Sequence, residues 1–246
     1  MSQAGGRKRH WGRRVVGVIA TVVVVTVGAP FIYIHFIEGK APAPLSISNQ
    51  PTATTVTGGP GSTSSASAAD ASTSVDGAWK VTSGSQAGYR VTEVLFGQNN
   101  TAVGRTSSLT GSITIQGSNV TAGDFTVDMT TVKSDRSQRD SQFHDRVMDT
   151  ASFPTATFTL NKPIELGTVP AEGATVNEQA TGNLTLRGTT RAVTFQLQAR
   201  RSGSTISVSG SIPVIFANWN IPNPSFGPVT TEDHGTLEFL LNFAHS

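Results

Sequence analysis

The 246-residue sequence contains no cysteine, and that absence excludes disulfides, thiolate nucleophiles, iron–sulfur clusters and cysteine-ligated zinc. Whatever folds must be held by packing. Charge is also scarce, at 14% Asp, Glu, Lys and Arg with a formal net charge of +2. The positive excess is confined to the start of the chain. Arg7, Lys8, Arg9, Arg13 and Arg14 have no acid among them, whereas from Gly77 onward 12 Lys and Arg face 13 Asp and Glu. So balanced a region lacks the clustered basic footprint that phosphate recognition needs, and no nucleic-acid partner is expected.

Catalytic patterns are missing too. No Gly-x-Ser-x-Gly elbow occurs in the sequence, which removes the commonest serine-hydrolase arrangement. His144 lies near Asp140 and Asp145, and His234 follows Glu232 and Asp233. Neither group has the paired-His spacing of a zinc motif or the oxygen pattern of a calcium loop. No nucleophile, acid–base pair, metal or cofactor is nominated, and a non-enzymatic protein is expected.

One long apolar run is present. Residues 15–37, VVGVIATVVVVTVGAPFIYIHFI, contain no Asp, Glu, Lys or Arg, and as a helix they are long enough for the roughly 30 Å of a bilayer's hydrocarbon core. Gly28 and Pro30 are tolerated in such a helix, and Tyr33 and His35 fall where an interfacial belt belongs. The basic tail of residues 1–14 predicts a cytoplasmic N-terminus, with the rest of the chain exported from the cell membrane. Ala41-Pro42-Ala43 resembles a signal-peptidase site, but the apolar run exceeds the ~7–15 residues of a cleavable signal, so an uncleaved anchor is the preferred reading.

Residues 38–76 are rich in Ser, Thr, Ala, Gly and Pro and nearly free of large apolar side chains. Such a stretch cannot offset its ordering entropy by burial, and a disordered linker with a root-mean-square reach on the order of 35 Å is expected.

From Gly77 to the C-terminus the apolar period becomes two. Phe125, Val127 and Met129 alternate with polar residues, as do Ala156, Phe158 and Leu160; Leu184 and Leu186; Val193, Phe195 and Leu197; Ile206 and Val208; and Leu237, Phe239, Leu241 and Phe243. Each set places its apolar groups on one face of a strand. Turns are expected at Arg187-Gly188-Thr189 and Arg201-Ser202-Gly203. Only one amphipathic helix is available to cover these faces. It spans Ser137 to Asp149, with Ser137 and Asp140 spaced as a capping box and Phe143 and Val147 as an i, i+4 pair. The domain is therefore all-β, and its sheet must cover itself, as two facing sheets or as a closed barrel.

Two ordered segments then resemble the YceI-like family. One is Arg136-Ser137-Gln138-Arg139-Asp140, followed by a helix and by Ala151-Ser152-Phe153-Pro154-Thr155-Ala156-Thr157-Phe158. The other is Gly182-Asn183-Leu184-Thr185-Leu186-Arg187-Gly188-Thr189-Thr190-Arg191-Ala192-Val193. The sequence departs from the family pattern in GYRVTEVLFG, which lacks an Asp-x-x-His-Ser opening strand, and in ANWNIPNPSFGP, which lacks an Arg-Ser-x-Phe-Gly turn.

The resemblance implies an eight-stranded antiparallel lipocalin-like barrel over residues 77–246, with one short helix. It also implies an elongated interior that holds a polyisoprenoid or quinone-like lipid. On that reading the interior and mouth consist of Phe125, Val127, Met129, Phe158, Leu160, Leu184, Leu186, Phe195, Leu197, Ile206, Val208, Trp219, Phe226, Phe239 and Leu241. Arg139 and Asp140 are assigned a structural role at the barrel end, or contact with a lipid headgroup. The expected partners are an apolar lipid and the membrane, with monomer and dimer both open. The competing expectation is a barrel filled by its own side chains, serving as a structural or interaction module of the cell envelope.

Overall fold

Alternation sets the architecture of the computed structural model, which describes residues 41–49, 74–95, 97–227 and 229–246. Among the described residues, thirteen antiparallel strands belong to one sheet. They are β1 (Gly77–Val81), β2 (Gln86–Leu95), β3 (Gln98–Thr106), β4 (Leu109–Gln116), β5 (Asn119–Asp128), β6 (Lys133–Ser134), β7 (Thr155–Leu160), β8 (Ile164–Glu165), β9 (Thr175–Leu186), β10 (Thr189–Ser202), β11 (Thr205–Ile215), β12 (Val229–Thr231) and β13 (His234–His245).

The sheet closes because Trp79 of β1 pairs with Ile113 of β4 on one side and His245 of β13 on the other. β1 and β2 occupy successive lengths of the β13 edge, opposite Phe243–His245 and Thr236–Leu240. They form one bent stave. The bend is pinned by Ser85, whose Oγ donates to Thr82 O (2.7 Å) and accepts from Asn242 N (2.9 Å). β3 and β4 likewise flank Ser107 and Ser108 in a second stave. With β5, β7, β9, β10, β11 and β13 these make the eight staves of a closed antiparallel barrel. β10, at 14 residues, sets a wall about 45 Å long.

Local chemistry explains the turns. β9 and β10 join through Arg187 and Gly188, both at positive φ (45° and 72°), the twist that a two-residue hairpin needs. The next hairpin turns at Gly203 and Ser204, between the paired Ser202 and Thr205, slightly later than Arg201-Ser202-Gly203. Met129 is not in a strand as expected. Asp128 Oδ1 accepts from Thr130 N (2.9 Å) and turns the chain into a 3-10 segment at Met129–Thr131, an Asx-type competition with the ladder.

Helix α1 (Ser137–Gln142) widens into π-type turns over Phe143–Val147, two residues short of the expected end. The capping box does not form. Arg136 stands at the N-cap and its side chain does not cap the helix, while Asp140 reaches back to Ser134, accepting from its N and Oγ (both 2.7 Å).

Residues 41–49 were expected to be coil, as part of the 38–76 linker; instead they run across the outer wall, with Ile47 buried. Residues 15–37, read as an anchor, lie outside the described residues, and among the described residues no helix is long and apolar enough to cross a membrane.

Candidate functional site

Inward side chains leave a cavity of about 840 Å³ along the barrel axis. Its wall is set by the pleat. On β13, Leu237, Phe239, Leu241 and Phe243 face in, while Glu238, Leu240 and Asn242 face out, since successive side chains take opposite faces. Aromatic rings circle much of the lumen: Phe243 meets Phe125 (centroids 5.9 Å apart), Phe125 meets Phe158 (6.4 Å), Phe158 meets Phe195 (5.5 Å) and Phe195 meets Phe239 (5.8 Å). Three of these four contacts are edge-to-face, the favoured arrangement of ring quadrupoles.

Small residues make room for this ring. A Cβ on Gly182 would lie 2.4 Å from Phe158 Cζ, and one on Gly210 would lie 2.6 Å from Phe239 Cζ.

Phe125, Val127, Met129, Phe158, Leu160, Leu184, Leu186, Phe195, Leu197, Ile206, Val208, Phe226, Phe239 and Leu241 all line the cavity. Trp219 does not. The 3-10 turn Phe216–Trp219, closed by Asn220 in the left-handed region (φ 55°), tucks its indole into the core beneath Arg191, whose guanidinium carbon is 5.9 Å from the ring centroid. Phe226, by contrast, is 54% exposed and sits on the rim. Arg146 positions that rim by donating to Asn223 O (3.2 Å) and Pro224 O (2.8 Å). Both departures from the family pattern, in β2 and around residues 217–228, therefore lie at the end of the barrel that α1 covers.

Polar side chains gather at this end. Glu93, facing inward from β2, accepts from Arg139 (2.9 Å) and from Asn100 Nδ2 (2.8 Å), and Arg139 also pairs with Asp135. Burial disfavours the Arg139 cation, but Glu93 and Asp135 outweigh it and raise its pKa above the ordinary arginine value. Arg139 is thus paired within the protein, and Asp140 is spent on Ser134. Tyr89 stacks on Phe143 (5.1 Å, 15°), and burial pushes its phenol well above the usual range, so it stays neutral. At the far end Glu178 and Arg201 border the cavity.

Sequence reasoning did not single out Tyr89, Glu93, Ile113, Ile115 or Phe143 as wall residues. Ile113 and Ile115 alternate in LTGSITI, a pattern that could have revealed them. Glu93 carried no such mark, because an acid in a strand ordinarily reads as a solvent-facing residue. Among the described residues, no three His, Asp or Glu side chains are grouped to hold a metal ion.

The YceI-like domain model matches residues 79–243. This chain belongs to the YceI-like family. Several solved structures are similar to it. A polyisoprenoid binding domain from Saccharophagus degradans, implicated in plant cell wall breakdown, aligns with a TM-score of 0.55 at 16% identity, covering 69% of this chain and 99% of that one. BcnA of Burkholderia cenocepacia aligns at 0.48 and 20% identity, covering 63% and 95%. The YceI protein of Campylobacter jejuni aligns at 0.43 and 16%, covering 56% and 83%. The first of these likenesses shows the shared fold. No curated protein gives a significant match.

Proposed function

We propose that this YceI-like barrel holds a long apolar lipid of polyisoprenoid or quinone type beside a membrane to which residues 15–37 anchor it. The observation that carries the reading is the elongated apolar cavity of about 840 Å³, a size in the ~300–1,000 Å³ range of small-molecule sites. So extensive an apolar wall is unfavourable in contact with water, because apolar surface gains free energy by leaving it. An apolar guest removes that cost. The side-chain-filled module fits less well, because the rings of Phe125, Phe158, Phe195 and Phe239 line the wall of the space rather than occupy it.

The saturated polar end has a consequence for recognition. With Arg139 and Asp140 already paired, selectivity rests on the length and girth of the guest. The Saccharophagus domain's polyisoprenoid binding agrees with a guest of this shape. Anchoring draws on the uninterrupted apolar run and the five basic residues that precede it. The test is native mass spectrometry and solvent extraction of the full chain released from membranes in mild detergent. One co-purifying isoprenoid or quinone-like lipid per chain is expected. Protein that carries no lipid and takes up no added isoprenoid overturns the reading.

A further inference from the structure

Residues 41–49 lie outside the family match and were expected to be coil, yet they cross the barrel's outer wall from stave to stave. Their contacts fall on five neighbouring strands. Arg105 of β3 donates to Ala43 O (2.5 Å) and Arg90 of β2 to Pro42 O (2.7 Å). Leu45 N donates to Glu238 of β13 (3.4 Å), Ile47 N to Ser209 Oγ of β11 (3.2 Å), and Arg200 of β10 donates to Ile47 O (3.1 Å). Ile47 is 2% exposed.

The seat is built for this strap. Glu238 is an outward-facing carboxylate only 4% exposed, a placement that is costly unless the charge is paired. Arg105 (2.7 Å) and Arg90 (3.3 Å) supply the pairing, and each spends a further N–H on a strap carbonyl. The network is complete only with residues 42–45 in place.

We infer that this strap, rather than the stretch after it, is the effective end of the tether, and that it holds the β2–β3 flank of the barrel against the bilayer surface. The inference rests on the proposed anchor. Between Ile37, the last residue of the apolar run, and Ala41 lie only Glu38, Gly39 and Lys40. Even fully extended, those four steps span about 14 Å. With the strap released, the connection would run to β1, with a root-mean-square reach on the order of 35 Å. Docking the strap thus converts a long leash into a short one and selects which face of the barrel meets the membrane.

The absence of cysteine makes the test direct. Ser107→Cys, at the exposed β3–β4 junction, and Gln196→Cys, on the exposed face of β10 four staves away, each create a single site for a fluorophore in the full chain. The labelled chains are reconstituted into phosphatidylcholine vesicles carrying nitroxide-headgroup lipid. The Ser107→Cys label is expected to be quenched several-fold more than the Gln196→Cys label. A Gly/Ser spacer of about 20 residues inserted between Lys40 and Ala41 leaves the fold untouched and should abolish that difference, as should Ile47→Asp. Equal quenching at the two sites with native spacing, or a difference that survives the spacer, overturns the inference while leaving the anchor standing. A chain that fails to float with vesicles removes the anchor and the inference together; lipid retention by the cavity is unaffected in either case.

Discussion

On the outer side of β13, Glu238 is buried under residues 41–49, and donors from Arg90, Arg105 and Leu45 meet its carboxylate. One residue further on, the inner side of the same strand presents Phe239 to a cavity that no segment of the described chain fills. A single strand therefore borders two buried surfaces of opposite chemistry. The outer one is polar and is completed by the chain's own backbone, as a buried charge requires. The inner one is apolar and makes no hydrogen-bonding demand. Polar closure specifies one partner, already present; apolar openness specifies only a shape.

Breaking the outer closure should give the largest effect. Glu238→Ala leaves Arg90 and Arg105 facing each other without their shared counter-charge, and it removes the acceptor for Leu45 N. A loss of about 3 kcal/mol is expected, at the low end for a broken buried pair because both arginines keep some contact with water. Urea denaturation measures it. A loss indistinguishable from that of an exposed substitution, within about 0.5 kcal/mol, would show that the strap network contributes little to holding the barrel.

The inner surface is sensitive to volume instead. Gly182→Ala places a methyl 2.4 Å from both Phe158 Cζ and Thr159 O, so the ring must swing toward the lumen and the strand must give. Overpacking of this kind costs about 1–3 kcal/mol. Thermal unfolding should register the loss, and a narrowed lumen should bind a shorter isoprenoid in preference to a longer one. Unchanged chain-length preference would mean that Phe158 does not set the girth of the cavity.

How much of this was legible beforehand follows from the same contrast. The inner wall could be read, because β-strand periodicity is a local property: Phe195 and Leu197 point together whatever the strand pairs with. The outer closure could not be read. Nothing in the spacing of Pro42, Ala43 and Ile47 marks them as partners of Arg90, Arg105 and Ser209 respectively, more than forty residues away, and their Pro- and Ser-rich neighbours resemble a coil. The expected rim pair also split on a backbone detail. Phe226 reached the rim, but the left-handed Asn220 ended a 3-10 turn that drew Trp219 into the core. The eight-stranded ring that the resemblance implied is present, since the bends at Ser85 and at Ser107-Ser108 divide two staves and the short β6, β8 and β12 add none to the ring.

The smallest change in stability is expected where the functional consequence is sharpest. Phe195 lies between Phe158 and Phe239, edge-on to both, and it faces the cavity. In a filled barrel, Phe195→Trp would force added volume into packed neighbours and cost about 1–3 kcal/mol. In a hollow one the indole extends into the lumen, so the delipidated protein should lose less than about 1 kcal/mol. On the proposed reading, a lipid in the cavity has nowhere else to go along that stretch of the axis. Native mass spectra of the variant should therefore show folded protein with its lipid lost, whereas a destabilised variant that still carries lipid would place the guest somewhere other than this ring of phenylalanines.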